Sequence, residues 1–94
     1  MLFHLPSALR RFAGGNELVE MRLPHDARMT ISEAFVTLGR DHPAIRQRVL
    51  DDQNNIRRHV NVFVNGENVR FAQGGLTQVS NESEVWIYPA LSGG

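Results

Sequence analysis

The amino-acid sequence predicts a single α+β domain, in which a mixed sheet of four to five strands packs against one main helix and a short second helix. Three observations lead to this prediction. Apolar and polar residues alternate near both ends of the chain, a capped segment of helical periodicity lies between them, and an Asn-Gly pair marks a tight hairpin. The order of hairpin, helix, hairpin and final strand is typical of α+β domains. At 94 residues and 41% hydrophobic content, the chain is long enough to bury one core.

The first segments predict a hairpin with a broad turn. Residues 1–5 are apolar and end at Pro6, which predicts a first short strand. Residues 7–12 predict a helical turn before a glycine turn at residues 13–15. Residues 17–23 then alternate as a strand does, and one face carries Val19, Met21 and Leu23.

The main helix has a recognisable start and a continuous apolar stripe. Thr30 is a good N-cap, and Glu33 three residues later completes a capping box. Gly39 is the predicted helix terminator. The residues that share the apolar face are Ile31, Ala34, Phe35 and Leu38.

A short second helix is predicted to start near His42, with Pro43 in its first turn. Ile45 and Val49 lie four residues apart, so both should face the core. The polar and charged residues 51–59 predict a loop after this helix.

Strand character returns at residues 60–64, where three valines alternate with Asn61 and Phe63. Asn65-Gly66 is a strong hairpin-turn signal. Residues 69–71 are therefore predicted as the short partner strand.

The last strand is predicted at residues 84–88 and ends at Pro89, after irregular connections at residues 74–76 and 79–83. We therefore divide the chain into a folded domain at residues 1–88 and a flexible C-terminal tail at residues 89–94.

Composition excludes several classes of function. The chain has no cysteine, which excludes disulfides and a thiol nucleophile, and no lysine, which excludes a Schiff base and the P-loop signature. The formal net charge is zero and the ten arginines are scattered, which argues against a nucleic-acid partner. No segment has the apolar length of a membrane span or the pattern of a signal peptide, so we expect a cytoplasmic protein without a membrane partner.

Catalytic and metal motifs are also missing from the sequence. The four histidines, His4, His25, His42 and His59, lack the spacing of a zinc site. The serines lack the flanking pattern of a nucleophile elbow. We expect neither an enzyme nor a bound metal or cofactor.

An aromatic patch follows from the alternation of two strands. If the valines of residues 60–64 point inward, Phe63 points outward; if Val85 and Ile87 point inward, Trp86 and Tyr88 point outward. Should the two strands be neighbours, the three rings form an exposed docking surface. The alternative is that loops or the chain's own arginines cover them.

The sequence ends in Gly93-Gly94, which is a thin segment that carries a carboxylate and has no side chains. Because glycine adopts backbone angles that other residues avoid, such a segment fits a narrow active site and is suited to act as a substrate. The alternative is an ordinary solvated terminus.

The order of elements and this ending resemble the ubiquitin-like β-grasp sulfur carriers of the MoaD/ThiS family over nearly the whole chain. The matching segments are residues 9–15, 59–66, 84–87 and 89–94. Asn68-Val69-Arg70-Phe71, together with the early Gly-Gly, is more similar to the CysO branch, which serves cysteine biosynthesis, than to the small subunit of molybdopterin synthase.

The resemblance implies a sulfur carrier. A ubiquitin-activating-type adenylating enzyme would use ATP to activate the Gly94 carboxylate, and sulfur would then produce a thiocarboxylate for a sulfur-accepting synthase. The partner-binding residues would be Phe63, Trp86, Tyr88 and Leu91. A processing metalloprotease is a further partner known in the family, and the carrier is expected to be a monomer when free. The alternatives are a protein modifier conjugated through Gly94 and an interaction module with an inert tail.

Overall fold

The structure, a computed structural model, describes residues 1–89, which alternate strands with short helices. In chain order, the elements are β1 (Leu2–His4), α1 (Ser7–Arg10), β2 (Leu18–Glu20), β3 (Met29–Thr30), α2 (Ile31–Leu38), α3 (Pro43–Val49), β4 (Val60–Val64), β5 (Glu67–Asn68), β6 (Gln78–Val79) and β7 (Glu84–Pro89). Three 3₁₀ turns join them, at Arg11–Ala13, Val69–Phe71 and Gly74–Leu76.

Five of the strands form a mixed sheet in the spatial order β2-β1-β7-β4-β5. The β1–β7 pair is parallel, whereas the other three pairs are antiparallel. The predicted mixed sheet, its N-terminal hairpin and its final strand are therefore confirmed. The final strand β7 lies in the centre of the sheet and extends to Pro89, which pairs with Val60.

Helices α2 and α3 pack their apolar faces against one side of this sheet. The predicted stripe of α2 is buried along its whole length: Ile31, Ala34, Phe35 and Leu38 are all at most 3% exposed. Phe35 meets Phe3 of β1 with ring centroids 5.5 Å apart. Ile45 and Val49 of α3 are fully buried, as their spacing predicts.

Helix α2 begins and ends at the predicted residues, but Gly39 is present at its end for a different reason from the predicted helix termination. The Thr30 hydroxyl accepts a hydrogen bond from the Glu33 N–H at 3.1 Å, and the Glu33 carboxylate accepts one from the Thr30 N–H at 3.0 Å. Gly39 caps the C-terminus with φ −64°, a right-handed conformation that any residue adopts. A Cβ at Gly39 would lie 2.8 Å from the Cβ of Arg46, so the close approach of α3 accounts for the glycine.

The predicted partner strand at residues 69–71 is wrong. Asn65 and Gly66 both adopt positive φ, at 50° and 89°, so the two-residue turn places Glu67 directly opposite Val64. Pairing then ends at Asn68, because its side-chain oxygen accepts a hydrogen bond from the Arg70 N–H and starts the 3₁₀ turn at Val69–Phe71.

A second, two-stranded sheet was not expected from the sequence. Met29 pairs with Val79 and Thr30 with Gln78, although residues 79–83 were predicted as an irregular connection. Two residues are too few to display an alternating pattern, and each strand finds its partner almost 50 positions away along the chain.

Candidate docking surface and C-terminal segment

Strands β4 and β7 are neighbours, as the aromatic-patch prediction requires. Phe63 pairs with Trp86, and Asn61 pairs with Tyr88. The intervening Val62 and Ile87 are 1% and 2% exposed. Because successive side chains point to opposite faces, the three predicted aromatic residues share the face of the sheet that is turned away from the helices.

The three rings contact one another in a row. Trp86 and Tyr88 lie parallel with centroids 6.3 Å apart, and Tyr88 meets Phe63 edge to face at 5.7 Å. Trp86 is 39% exposed and Tyr88 45% exposed, whereas Phe63 is half-buried. The row is therefore partly open to solvent rather than covered by loops.

The arginine cover considered as an alternative is not found among residues 1–89. The guanidinium groups that stack on an aromatic ring there are those of Arg11 and Arg48, at 4.7 and 4.4 Å. Both stack on Phe12, which belongs to the 3₁₀ turn after α1, and leave the rings of β4 and β7 accessible.

His4 extends the row of rings by one member that the sequence did not indicate. Its imidazole stacks on the indole of Trp86, with centroids 3.6 Å apart and planes 4° from parallel. Its Nε2 lies 2.8 Å from the Glu84 Oε1. The sequence does not indicate this contact, because β1 and β7 lie near opposite ends of the chain. We call His4, Phe63, Trp86 and Tyr88 the aromatic row.

Half of the aromatic row lies on the strand that leads into the C-terminal segment. Two residues of the row belong to β7, and Pro89 is the last residue of that strand. The predicted site residues Leu91, Gly93 and Gly94 lie outside the described residues. Their roles remain predictions, as does the division into a domain at residues 1–88 and a tail at residues 89–94.

Two acidic side chains away from the aromatic row have lowered pKa values. The backbone N–H and side chain of Thr30 lower the pKa of Glu33, and the Ser80 hydroxyl lowers the pKa of Glu82. Within residues 1–89, no three histidine or acidic side chains come together as a metal site would require. None of the helices in that range combines the length and apolar character needed to cross a bilayer.

Comparison with known proteins identifies the family. A model described as ThiS family matches residues 4–94. The chain belongs to the ThiS family. The mixed sheet with its packed helices is accordingly the ubiquitin-like β-grasp fold, and the family resemblance read from the sequence is confirmed.

Relatives of this ThiS-family chain are named either as sulfur carriers or as protein modifiers. The sulfur carrier protein CysO of Mycobacterium tuberculosis is 30% identical over 92 residues, which cover 96% of this chain and 94% of the relative. Small archaeal modifier protein 1 of Haloferax volcanii is 34% identical over 74 residues, which cover 79% of this chain and 80% of the relative. A chain in the crystal structure of the Amycolatopsis orientalis BexX/CysO complex superimposes with a TM-score of 0.83 at 30% identity, covering 99% of this chain and 98% of that one.

Proposed function

We propose that this protein is a sulfur carrier whose Gly94 carboxylate is activated by a partner enzyme and converted to a thiocarboxylate. The observation that carries the proposal is the match to the ThiS family over residues 4–94, which includes the diglycine. The similarity to CysO over nearly the full length of both chains supports the same function.

The proposed chemistry follows from the reactivity of a carboxylate, which is a poor electrophile until one oxygen becomes part of a good leaving group. A carboxylate oxygen of Gly94 attacks the α-phosphorus of ATP, which releases pyrophosphate and forms an acyl-adenylate. Hydrosulfide then attacks the acyl carbon, the bond to AMP breaks, and a thiocarboxylate remains. The carrier is the substrate of these steps, and the partner adenylating enzyme supplies ATP binding and catalysis.

The aromatic row is the proposed docking surface for that partner. Trp and Tyr are over-represented among residues that dominate binding energy at interfaces. Because Trp86 and Tyr88 lie on β7, a partner that binds them is positioned close to the start of the segment that it must receive. Leu91 is proposed as a further partner contact.

Mass spectrometry tests this function directly. The chain ending at Gly94 is incubated with its adenylating enzyme, ATP and sulfide, and we expect a mass gain that corresponds to one oxygen replaced by sulfur at Gly94. Deletion of Gly94 should abolish the gain. If every candidate adenylating enzyme leaves the mass unchanged, the carrier function is wrong.

Gly94→Ala tests the narrow-channel argument within the same assay. The added methyl group should hinder entry of the terminus into the adenylating site and slow acyl-adenylate formation by at least about tenfold, which corresponds to roughly 1.4 kcal/mol. The melting temperature should not change. Adenylation at the wild-type rate would contradict the argument.

The sulfur acceptor is proposed from the branch that the chain resembles. Similarity to CysO favours cysteine biosynthesis, with molybdopterin, thiamine and other metabolites as the alternatives. Candidate acceptor enzymes can be compared by the rate at which each consumes the purified thiocarboxylate.

A protein modifier is the second candidate, favoured by the 34% identity to small archaeal modifier protein 1. The activated Gly94 carbonyl would then form an amide with a lysine of a target protein. Because the chain itself has no lysine, its copies cannot be linked to one another through side-chain amines. Gly-Gly remnants on cellular lysines that disappear when the gene is deleted would support this function.

A further inference from the structure

His4 joins the aromatic row from a neighbouring strand and restricts the indole of Trp86. The parallel register places His4 of β1 beside Trp86 of β7. The two ring centroids are 3.6 Å apart, much closer than the 6.3 Å that separates Trp86 from Tyr88. At this distance the imidazole is in van der Waals contact with the indole, so the indole cannot turn toward β1 unless the imidazole moves first.

The imidazole of His4 is itself held by Glu84. The His4 Nε2 lies 2.8 Å from the Glu84 Oε1. The backbone of Glu84 is fixed by two hydrogen bonds to the β4–β5 turn: its N–H donates to the Asn65 Oδ1, and its carbonyl oxygen accepts from the Asn65 N–H, each at 2.9 Å. The ring that stacks on Trp86 therefore has little freedom to move away.

Burial separates the role of His4 from that of Trp86. Trp86 is exposed, whereas the side chain of His4 is only 19% exposed and offers little surface to a partner. The indole Nε1 makes no hydrogen bond within residues 1–89, so the rings beside it set its position. His4 therefore contributes more to where the indole lies than to the surface that a partner touches.

We propose that His4, held by Glu84, is a positioning residue that fixes the indole of Trp86 in the orientation that the adenylating partner binds. The inference rests on the proposed function, which makes the aromatic row the docking surface. A side chain that is ordered before binding loses less conformational entropy when the partner arrives, so this preorganisation strengthens binding without adding a contact.

Time-resolved fluorescence anisotropy of the free protein tests the positioning role, because Trp86 is the one tryptophan of the chain. In the wild type, we expect the anisotropy to decay with the tumbling of the domain. His4→Ala should add a fast component from local motion of the indole, on the picosecond-to-nanosecond timescale of side-chain rotation. His4→Phe restores a flat ring without the hydrogen bond, and Glu84→Ala removes only the hydrogen bond, so both should lie between the wild type and His4→Ala.

Leu18→Ala is the matched control for the anisotropy measurement. Leu18 is the cross-strand neighbour of His4 on β2 and is also exposed, but it is not part of the aromatic row. Its truncation should leave the decay unchanged. An equal effect of Leu18→Ala and His4→Ala would attribute the motion to general loosening of β1 and overturn the positioning role.

Binding of the adenylating enzyme that produces the mass gain at Gly94 is the second readout. His4→Ala should raise its Kd about threefold to tenfold, the cost of ordering one side chain on binding, and His4→Phe should recover part of the loss. A purely structural role would lower the melting temperature without this pattern of rescue.

Two further outcomes would overturn the proposal. Equal anisotropy decays in the wild type and His4→Ala would show that the indole does not depend on His4. A mobile indole with an unchanged Kd would show that its orientation does not matter to the partner. The anisotropy measurement needs neither ATP nor sulfide, so the positioning role can fail while the thiocarboxylate still forms, and a failed carrier function leaves the anisotropy result intact.

Discussion

Trp86 is the residue whose environment best separates a binding role from a structural one. Its indole contacts His4 on one side and Tyr88 on the other, yet more than a third of the side chain is exposed. A core residue would be covered by the protein itself, as Phe3 and Phe35 are. The exposed part of the indole is therefore available to a partner.

We expect Trp86→Ala to weaken binding of the adenylating enzyme by at least about tenfold, because truncation of a residue that dominates an interface typically costs about 2 kcal/mol or more. Isothermal titration calorimetry measures the Kd, and calorimetric unfolding measures the accompanying change in Tm. The free energy of binding should change more than the free energy of unfolding. The reverse ranking would mean that Trp86 serves mainly to stabilise the fold.

Phe71→Ala is the matched control for that experiment. Phe71 is also aromatic and is 84% exposed, but it belongs to the 3₁₀ turn at Val69–Phe71 instead of the sheet face. Its removal should leave the Kd within about twofold of the wild type, or about 0.4 kcal/mol. Equal losses for both variants would indicate that exposed aromatic area in general, rather than the aromatic row, contributes to binding.

At the scale of the element, helix α2 depends on one reciprocal pair of hydrogen bonds at its start. The Thr30 backbone N–H, with a further contribution from the Thr30 side chain, favours the charged form of Glu33 and lowers its pKa from the ordinary value of 4.5. A lowered pKa in the folded state contributes stability above about pH 4.5, and that contribution is lost as the pH falls through the folded pKa.

Thr30→Ala should lower the urea midpoint at pH 7, because the cap hydroxyl is lost. Thr30→Ser keeps the hydroxyl and should restore the midpoint. Glu33→Gln cannot ionise and should reduce the dependence of stability on pH below about 4.5. Urea unfolding followed by circular dichroism between pH 3 and 7 provides the comparison. A Glu33→Gln variant that keeps the wild-type pH profile would show that ionisation of Glu33 does not contribute to stability.

The contact between α2 and α3 depends on Gly39. Gly39→Ala should destabilise the protein by about 1–3 kcal/mol, the usual cost of overpacking, because the new Cβ collides with the Arg46 side chain. A double-mutant cycle measured by urea unfolding checks the cause. In an Arg46→Ala background the contacts beyond Cβ are removed, so Gly39→Ala should cost less; the same cost in both backgrounds would place the strain elsewhere.

The elements that the sequence predicted correctly are those with local signals. Thr30 and Glu33 are three residues apart, and the residues of the α2 stripe lie within two turns of one helix. The β3–β6 pair and the stacking of His4 on Trp86 have no such signal, because both join residues that are about 50 to about 80 positions apart. The position of the β5 strand depended on turn geometry, which places Glu67 rather than Val69 in the first pair.

The candidate site likewise has a part with local sequence signals, which could be predicted, and a part without them. Alternation within β4 and β7 was sufficient to place Phe63, Trp86 and Tyr88 on one face once the two strands were neighbours. The contact of Glu84 with His4 was not predictable, because the two residues are 80 positions apart along the chain. A contact of this kind exists only after distant segments have packed.

At the scale of the whole molecule, the sheet should be most stable at its centre. Strand β7 is hydrogen-bonded on both sides, whereas the β3–β6 pair is only two residues long. We expect the amides of Val85 and Ile87 to exchange with solvent only on global unfolding, and those of β3 and β6 to exchange through local opening. Hydrogen exchange followed by NMR measures both; faster exchange in β7 than in β6 would contradict this order.

The central position of β7 has a mechanical consequence for a chain that is held by its C-terminal end. A force applied beyond Pro89 acts along β7, which is bonded over three residues to β1 and over five to β4. The load is shared by two ladders that must slide as a whole, and such shear resists rupture better than peeling an outer strand one bond at a time. A protein that binds the C-terminal end can therefore pull on it without unfolding the domain.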